Sequence, residues 1–336
     1  MNHDQSNQQL KPLLEVVDLK VYFNIRQRGT WFWQPKFQQL KAVDGVSFSL
    51  AQNKTLGIVG ESGCGKSTLA RAIVGLVTAT AGAVYWNGED LLQLTARQWL
   101  GRRREIQMVF QDPLASLDPR MTAGDIIAEP LQSLYSAMSK ADRQAQVRAI
   151  MDRVGLLPNL INRYPHEFSG GQCQRIGIAR ALISQPKLLI CDESVSALDV
   201  SIQSQVINLL KELQRERGLT LLFIAHDLAV VKHISDQVLV MYLGHPVEYG
   251  SYEQIYHNPL HPYTKALMAA VPIPDPRKER NKTVQLLEGD LPSPIHPPSG
   301  CVFRTRCPIA GPECAVTRPQ LQGNAQHTVS CLKVAV

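Results

Sequence analysis

Short apolar runs alternate with amphipathic stretches from near the N-terminus to about residue 256. Three of the runs stop at glycine or polar residues: LGIVG (56–60), LLICD (188–192) and LLFIAHD (221–227). Their length and endings favour buried strands over segments of buried helix. Residues 139–156 and 201–217 carry Ala, Arg and Gln at helical spacing, which predicts two helices. The alternation of strands and helices is typical of an α/β domain with a largely parallel sheet.

The pattern changes after Pro259. The stretch 257–272, HNPLHPYTKALMAAVP, predicts one more short helix, and prolines then suppress regular structure. Ten of the 21 prolines lie between Pro272 and Pro319, and four of the seven cysteines lie in the last 36 residues. We therefore predict a polar N-terminal tail (1–12), an α/β domain (13–260) and a C-terminal extension (261–336).

Composition narrows the class of protein. A chain of 336 residues has room for about two domains. Its charge, 35 basic minus 29 acidic residues or +6, is too mild to indicate nucleic-acid binding. No apolar run approaches the ~18 residues of a membrane-spanning helix. The polar first ten residues lack a signal-peptide pattern, so we expect a chain that stays in the cytosol and does not cross a bilayer.

Residues 60–68, GESGCGKST, match the phosphate-loop pattern G-x-x-x-x-G-K-[ST] between a predicted strand and a helix. The glycines allow a tight turn whose N–H groups face phosphates, Lys66 would reach the β- and γ-phosphates, and the Ser67 hydroxyl would ligate Mg²⁺. The alternative is a glycine-rich turn without a ligand. The predicted nucleotide-binding residues of the loop are Gly60, Glu61, Ser62, Gly63, Cys64, Gly65, Lys66, Ser67 and Thr68. Cys64 predicts an ATPase that is sensitive to thiol reagents.

Polar residues follow the other two predicted strands. Asp192 is placed to hold Mg²⁺, and Glu193 is placed to polarise the attacking water. The alternative for this pair is an ordinary exposed turn. His226 is a candidate hydrogen-bond partner of the γ-phosphate, although a lone histidine after a strand is more often structural.

A family resemblance rests on the order of these motifs. FSGGQ (168–172) resembles the signature of ATP-binding cassette (ABC) ATPases. The order phosphate loop, Gln111, signature, Asp192–Glu193, SALD (196–199) and His226 is that of the family, over residues 13–256. The resemblance implies a P-loop NTPase cassette with a RecA-like core, an antiparallel β subdomain and a helical signature subdomain.

The resemblance also implies an ATP sandwich between two subunits. Ser169, Gly170, Gly171 and Gln172 would contact the partner's nucleotide, as a turn that opens a helix can do for an anion. Three further roles follow from the resemblance. Asp199 would reach across the interface, Gln111 would bind Mg²⁺ and couple it to the transmembrane subunits, and Phe23 would stack on adenine. Glu193, His226 and Lys66 take the catalytic roles, and Tyr22 is the alternative stacking residue.

The second resemblance concerns residues 257–272 and GDLPSPIHPPSGCVFRTRCP (289–308), which are similar to the C-terminal extension of peptide-importer ATPases. It implies a second ATPase subunit, two transmembrane permease subunits, an indirect link to a periplasmic peptide-binding protein, and a peripheral position on the cytoplasmic face of a bacterial inner membrane. No nucleic acid is expected. The alternatives are a dipeptide, nickel or antimicrobial-peptide transporter, or an ABC ATPase of translation or repair. The aromatic cluster Trp31–Trp33 either meets a membrane subunit or the lipid headgroups, or folds back on its own domain.

Cys301, Cys307, Cys314 and Cys331 are separated by five, six and sixteen residues. A cytosolic chain argues against disulfides, and these gaps fit neither most zinc sites nor ferredoxin spacing. Spacing alone leaves zinc, iron–sulfur and four free thiols open. The resemblance to peptide importers implies a [4Fe–4S] cluster on these four cysteines.

Overall fold

The computed structural model describes residues 12–26, 37–135, 137–194, 199–226, 228–271, 277, 289–324 and 326–334. The Trp31–Trp33 cluster and the first three residues of SALD lie outside these ranges.

The strands in chain order are β1 Leu14–Arg26, β2 Phe37–Leu50, β3 Thr55–Val59, β4 Ala81–Trp86, β5 Glu89–Asp90, β6 Ile106–Val109, β7 Leu188–Asp192, β8 Thr220–Ile224, β9 Gln237–Tyr242, β10 His245–Ser251, β11 Gln322–Asn324 and β12 His327–Val329. The α-helices are α1 Lys66–Ile73, α2 Ala96–Arg102, α3 Ala123–Leu134, α4 Lys140–Arg153, α5 Gly170–Leu182, α6 Val200–Arg217, α7 Leu228–Ile234, α8 Tyr252–His257, α9 Pro262–Ala270 and α10 Glu313–Val316. The three predicted strands correspond to β3, β7 and β8. The helices predicted over residues 139–156 and 201–217 correspond to α4 and α6.

Within the described residues the larger sheet has the strand order β11-β12-β10-β9-β3-β8-β7-β6. Strands β9, β3, β8, β7 and β6 run parallel, and all five residues of β3, β7 and β8 are buried. Strands covered on both faces read as continuous apolar runs, which is why the sequence pattern found these three. Because β3, β7 and β8 are neighbours and parallel, their carboxyl ends meet at one edge of the sheet, where the polar motifs begin.

A second, antiparallel sheet has the order β2-β1-β4-β5 in the described chain. Its apolar residues share one buried cluster with α1 and with one face of β3, β7 and β8. The other face of the large sheet belongs to a second cluster that includes residues of α3, α4 and α5. The fold is thus the cassette that the resemblance implied: a core sheet, an antiparallel β subdomain and a helical subdomain.

The C-terminal extension joins the large sheet. Strand β12 pairs antiparallel with β10, and β11 pairs with β12. Glu248 on β10 is fully buried and accepts hydrogen bonds from the backbone N–H groups of Leu260 (2.8 Å) and His261 (2.9 Å). Its Oε1 lies 2.7 Å from Nε2 of His327 on β12. The short helix predicted after Pro259 is α9, but the prolines do not exclude regular structure beyond it, because β10 supplies a partner for β12.

The division at residue 260 stays a prediction. Val302 and Phe303 of the extension are buried in the same apolar cluster as the helical subdomain, so the two predicted regions share a core. No helix in the described part of the chain combines the length and apolar character required to cross a membrane.

Candidate functional site

The phosphate loop connects β3 to α1. Gly60 (φ 151°) and Gly65 (φ 103°) adopt positive φ, and a Cβ at either position would collide with a backbone carbonyl oxygen, that of Met241 or of Ala42. Only glycine fits both positions, because it has no Cβ and tolerates positive φ. The loop therefore makes a tight turn, and α1 begins directly after it at Lys66.

Lys66 is almost completely buried, with 3% of its side chain exposed. Its Nζ donates hydrogen bonds to the carbonyl oxygens of Gly60 (2.8 Å) and Glu61 (3.1 Å) and lies 3.7 Å from Oε1 of Glu193. The carbonyl oxygens of Gly60 and Glu61 thus hold the Lys66 ammonium group inside the loop, where it can contact a bound phosphate.

Ser67 and Asp192 meet although 125 positions separate them. The Ser67 hydroxyl lies 2.7 Å from Oδ1 of Asp192. Asp192 is fully buried at the end of β7, and its Oδ2 has no hydrogen-bond partner in the structure. Burial raises the pKa of Asp192 above its usual value, against the opposing effect of the Ser67 hydrogen bond. A hydroxyl beside an unsatisfied buried carboxylate oxygen fits a hard divalent cation such as Mg²⁺.

Glu193 follows Asp192 in left-handed conformation (φ 47°), and its N–H donates to the carbonyl oxygen of Ile224 on β8 (3.0 Å). This turn aims its carboxylate at the phosphate loop, beside Lys66. Gln111 donates a hydrogen bond from Nε2 to Oε2 of Glu193 (2.7 Å). Of the three predicted Mg²⁺ ligands, Ser67 and Asp192 are therefore hydrogen-bonded to each other. The third, Gln111, is hydrogen-bonded to Glu193 instead.

A cavity of about 250 Å³ opens over the loop. The predicted residues that line it are Phe23, Ser62, Gly63, Gly65, Lys66, Ser67, Thr68, Gln111 and Glu193. The residues that sequence reasoning missed are Leu40, Lys41, Ala42, Leu243, Gly244 and Pro294. No local motif marks these six, since they come from β2, the β9–β10 turn and the extension.

Phe23 and Tyr22 face different surroundings. Phe23 lines the cavity with 38% of its surface exposed. The hydroxyl of Tyr22 instead donates a hydrogen bond to Asp44. Alternate side chains of a strand point to opposite faces, so Phe23 is the residue available for stacking.

The remaining predicted residues do not line this cavity. Ser169 caps α5, where its Oγ accepts from the N–H of Gln172 (3.3 Å) while Gln172 Oε1 accepts from the N–H of Ser169 (3.0 Å). Ser169 and Gly170 are exposed, and so is Asp199, which caps α6. His226 is exposed two residues after β8. The roles of these residues stay predictions from the resemblance.

Cys64 is buried with 1% of its surface exposed, and burial raises the pKa of its thiol. Both effects slow alkylation, because the thiolate is the reactive form. The structure therefore argues against the expected sensitivity of this loop to thiol reagents.

The four cysteines of the extension lie near one another. The N–H of Cys301 donates to the carbonyl oxygen of Cys314 (2.8 Å). Burial raises the pKa of Cys301, and the neighbouring thiols of Cys307, Cys314 and Cys331 raise it further. Across the described residues, however, no group of three or more His, Cys, Asp or Glu side chains forms a metal-binding arrangement. The structure thus gathers the four thiols without showing a ready site for one metal ion.

Comparison with known proteins agrees with this fold and loop. Residues 43–196 match the ABC transporter family, and residues 247–314 match the C-terminal region of oligopeptide/dipeptide transporters. The chain is 71% identical to the oligopeptide transport ATP-binding protein OppF of Salmonella typhimurium, covering 97% of this chain and 98% of that protein. It is 70% identical to OppF of Escherichia coli, covering 96% and 97% of the two chains.

The chain is 26% identical, with a TM-score of 0.64, to a solved dimeric structure of the ATP-binding cassette MJ0796 in a post-hydrolysis state bound to ADP and Pi. The match covers 71% of this chain and 98% of that chain. The chain belongs to the ABC transporter family of ATPases, in the group that carries the oligopeptide/dipeptide transporter C-terminal region.

Proposed function

We propose that this chain is the ATP-hydrolysing subunit of an importer that moves oligopeptides across the bacterial inner membrane. The observation that carries the proposal is a pair of contacts beside the cavity, that of Lys66 with Glu193 and that of Ser67 with Asp192. The substrate class is supported by the two relatives, both named as oligopeptide transport ATP-binding proteins. The matched C-terminal region supports it independently.

ATP binds with its phosphates in the loop and its base toward Phe23. The loop N–H groups and the N-terminus of α1 attract the phosphates, because unpaired N–H groups there carry partial positive charge. Lys66 exchanges its bonds to the Gly60 and Glu61 carbonyls for bonds to the β- and γ-phosphates. Phe23 offers an aromatic face to adenine.

The Ser67 hydroxyl and the Asp192 carboxylate would hold Mg²⁺, with Gln111 as the further predicted ligand. When bound, Mg²⁺ neutralises phosphate charge and orients the γ-phosphate for in-line attack. The unpartnered Oδ2 of Asp192 supports this assignment. Ionised Asp192 is costly where it is buried, and a cation relieves that cost.

Glu193 is the general base for the attacking water. Its carboxylate lies between Gln111 and Lys66, which hold it in one orientation. The water proton passes to the carboxylate as the water oxygen bonds to the γ-phosphorus and the bond to the ADP oxygen breaks. His226, two residues after the neighbouring strand β8, is the candidate contact to the γ-phosphate.

The signature residues complete the site of a second subunit. Ser169 and Gly170 are exposed at the start of α5, where helix N–H groups can meet an anion on another molecule. Asp199 is likewise exposed. A partner ATPase subunit would bring its own nucleotide to this surface. Closure of the sandwich would switch two transmembrane permease subunits from the cytoplasmic face, and a periplasmic binding protein would deliver the peptide.

The decisive test uses the transporter assembled with its partner ATPase, both membrane subunits and the binding protein. Glu193→Gln should keep ATP binding and lower peptide-stimulated hydrolysis by about 10²- to 10⁴-fold, the usual contribution of a general base. Unchanged hydrolysis in the variant would reject the role of Glu193.

Substrate class needs its own measurement. Uptake of labelled peptides of graded length, of dipeptides and of Ni²⁺ by this assembly separates oligopeptide transport from its alternatives. An ABC ATPase of translation or repair would not co-purify with two hydrophobic membrane subunits and a second ATPase. Failure of this chain to co-purify with them would therefore overturn the transport proposal.

We also propose that residues 13–260 are the cassette, that 1–12 are a polar tail, and that 261–336 form an extension holding a [4Fe–4S] cluster. The support for the cluster is the shared neighbourhood of Cys301, Cys307, Cys314 and Cys331. A cube of iron and sulfide is wider than a single ion, so its ligands stand further apart than those of zinc. The cluster would cross-link the proline-rich segment and so fix its position on the cassette.

Anaerobic purification with iron and sulfide analysis tests the cluster. About four irons and four sulfides per chain, lost on Cys307→Ser, are the expected result. Cys173→Ser is the matched control, because that buried thiol donates to the Pro165 carbonyl oxygen (3.4 Å), a bond that serine can keep. A colourless protein, or one that contains zinc, would rule the cluster out.

A further inference from the structure

Glu61, the second residue of the phosphate loop, has its polar groups held from two sides. Its carbonyl oxygen accepts from Nζ of Lys66 (3.1 Å), within the loop itself. Its N–H donates to the hydroxyl of Tyr263 on α9 (2.8 Å). Its carboxylate oxygens lie 2.8 and 3.1 Å from one guanidinium nitrogen of Arg306. Tyr263 and Arg306 both belong to the predicted C-terminal extension.

The ion pair is sheltered. The side chain of Arg306 is 10% exposed and that of Glu61 is 28% exposed. Charges that are largely removed from water attract one another more strongly than charges on the surface. Water therefore screens the attraction between Arg306 and Glu61 less than it screens a typical surface pair.

Packing fixes the turn that carries Arg306. The N–H of Arg306 donates to the carbonyl oxygen of Phe303 (3.0 Å), and Phe303 is fully buried. The Phe303 ring lies 5.2 Å from the ring of Tyr242 and 5.5 Å from that of Tyr263. Tyr242 ends β9, whose residue Val240 pairs with Val59 at the end of β3, directly before the phosphate loop. The phosphate loop and the turn that carries Arg306 are thus both connected to the buried cluster of Tyr242, Tyr263 and Phe303.

This arrangement has an electrostatic consequence. Glu61 places a carboxylate in a loop that must accept a triphosphate, and two negative charges at close range repel. Arg306 neutralises that carboxylate and holds it in position. A loop that is already ordered loses less entropy when a ligand binds, so its affinity is higher.

We propose that Arg306 is a positioning residue for ATP: through Glu61, the C-terminal extension holds the phosphate loop in its nucleotide-binding shape. The inference rests on the proposed ATP site. It adds that nucleotide affinity in this chain depends on a residue 245 positions away from the loop. Because Arg306 precedes Cys307, the same turn also carries one of the four clustered thiols.

The test compares variants of the full chain in the assembled transporter. Arg306→Gln should raise the KM for ATP about fivefold, with kcat changed less than about twofold, because the lost interaction acts on binding. Arg306→Lys should lie between this variant and the wild type, since it keeps the charge. Arg304→Gln is the matched control, because Arg304 lies in the same turn but donates to the carbonyl oxygen of Ser299 in the extension (2.9 Å).

A double-mutant cycle shows whether the effect passes through Glu61. In a Glu61→Gln background, Arg306→Gln should change the KM for ATP less than about twofold, because its partner is already absent. Thermal unfolding of each variant separates loss of positioning from loss of fold. A KM within twofold of wild type in Arg306→Gln, equal effects of Arg304→Gln and Arg306→Gln, or additive effects in the cycle would overturn the inference. If the inference about Arg306 failed, Glu193→Gln would still be expected to lose ATP hydrolysis. The two experiments therefore distinguish failure of this inference from failure of the ATPase assignment.

Discussion

Nε2 of Gln111 donates a 2.7 Å hydrogen bond to Oε2 of Glu193, across 82 positions of sequence. Gln111 follows β6 and Glu193 follows β7, and these strands are parallel neighbours. The bond therefore forms at the edge of the sheet where the phosphate loop also begins. It ties the residue expected to sense the transmembrane subunits to the proposed general base.

The first prediction concerns this bond. Gln111→Glu places a second carboxylate against Glu193, and two carboxylates at this distance share a proton. ATP hydrolysis at neutral pH should fall about tenfold or more and should recover as the pH rises and the shared proton is lost. Mg²⁺-ATPase rates of the assembled transporter across the neutral to alkaline range measure this. Gln111→Ala, which removes the donor without adding charge, should not show the pH-dependent recovery; the same recovery in both variants would contradict the explanation.

The second prediction concerns Asp192, whose pKa is raised by burial. A carboxyl with a raised folded-state pKa binds its proton more tightly in the folded chain. Its contribution to stability is therefore largest below the unfolded pKa and declines as the pH rises through the folded pKa. Asp192→Asn removes this decline, because an amide does not titrate.

At neutral pH without Mg²⁺, Asp192→Asn should unfold at a temperature equal to that of the wild type or about 1–3 °C higher. It should also lose Mg²⁺-dependent ATP hydrolysis. Differential scanning calorimetry with and without Mg²⁺-ATP, over a range of pH, makes the comparison. Ser67→Ala provides a control that loses the hydroxyl and keeps the titrating carboxylate. A lower unfolding temperature for Asp192→Asn at neutral pH would contradict the assigned cost of burial.

The third prediction separates two neighbouring aromatic residues. Phe23→Ala should raise the KM for ATP by about tenfold, because an aromatic stacking contact contributes up to about 1.5 kcal/mol. Tyr22→Phe removes only the hydroxyl that donates to Asp44, so its KM should change less than about twofold. Steady-state kinetics with ATP measures both. A larger effect in Tyr22→Phe would move the adenine contact to the other residue.

The fourth prediction tests how the extension is attached. His327 is the side-chain partner of the fully buried Glu248 carboxylate, with 2.7 Å between Nε2 and Oε1. His327→Ala leaves a buried carboxylate without that partner and should lower the free energy of unfolding by about 3 kcal/mol. His327→Gln, which can still donate a hydrogen bond, should cost less than half as much. Urea unfolding followed by linear extrapolation gives both values, and similar losses in the two variants would show that packing, not pairing, explains the contact.

Local patterns in the sequence were sufficient for the cassette. Each covered parallel strand is a continuous apolar run, and the phosphate loop needs glycine wherever a Cβ would collide with Met241 or Ala42. The sequence also assigned Asp192 and Ser67 to one Mg²⁺ ion, because Asp192 ends a predicted strand and Ser67 belongs to the phosphate-loop motif. These features depend on short-range chemistry, so they are visible without coordinates.

Contacts between distant segments required the tertiary structure. Phe23 and Tyr22 are adjacent and both aromatic, and only their directions relative to the cavity and Asp44 distinguish them. No sequence motif links Arg306 to Glu61. Their contact depends on how the extension packs against β9. By itself the sequence determined an ATP-binding cassette with an unusual C-terminal region. The tertiary structure decided that this region joins the large sheet and contacts the phosphate loop, since the side chains that meet there are brought together only by packing.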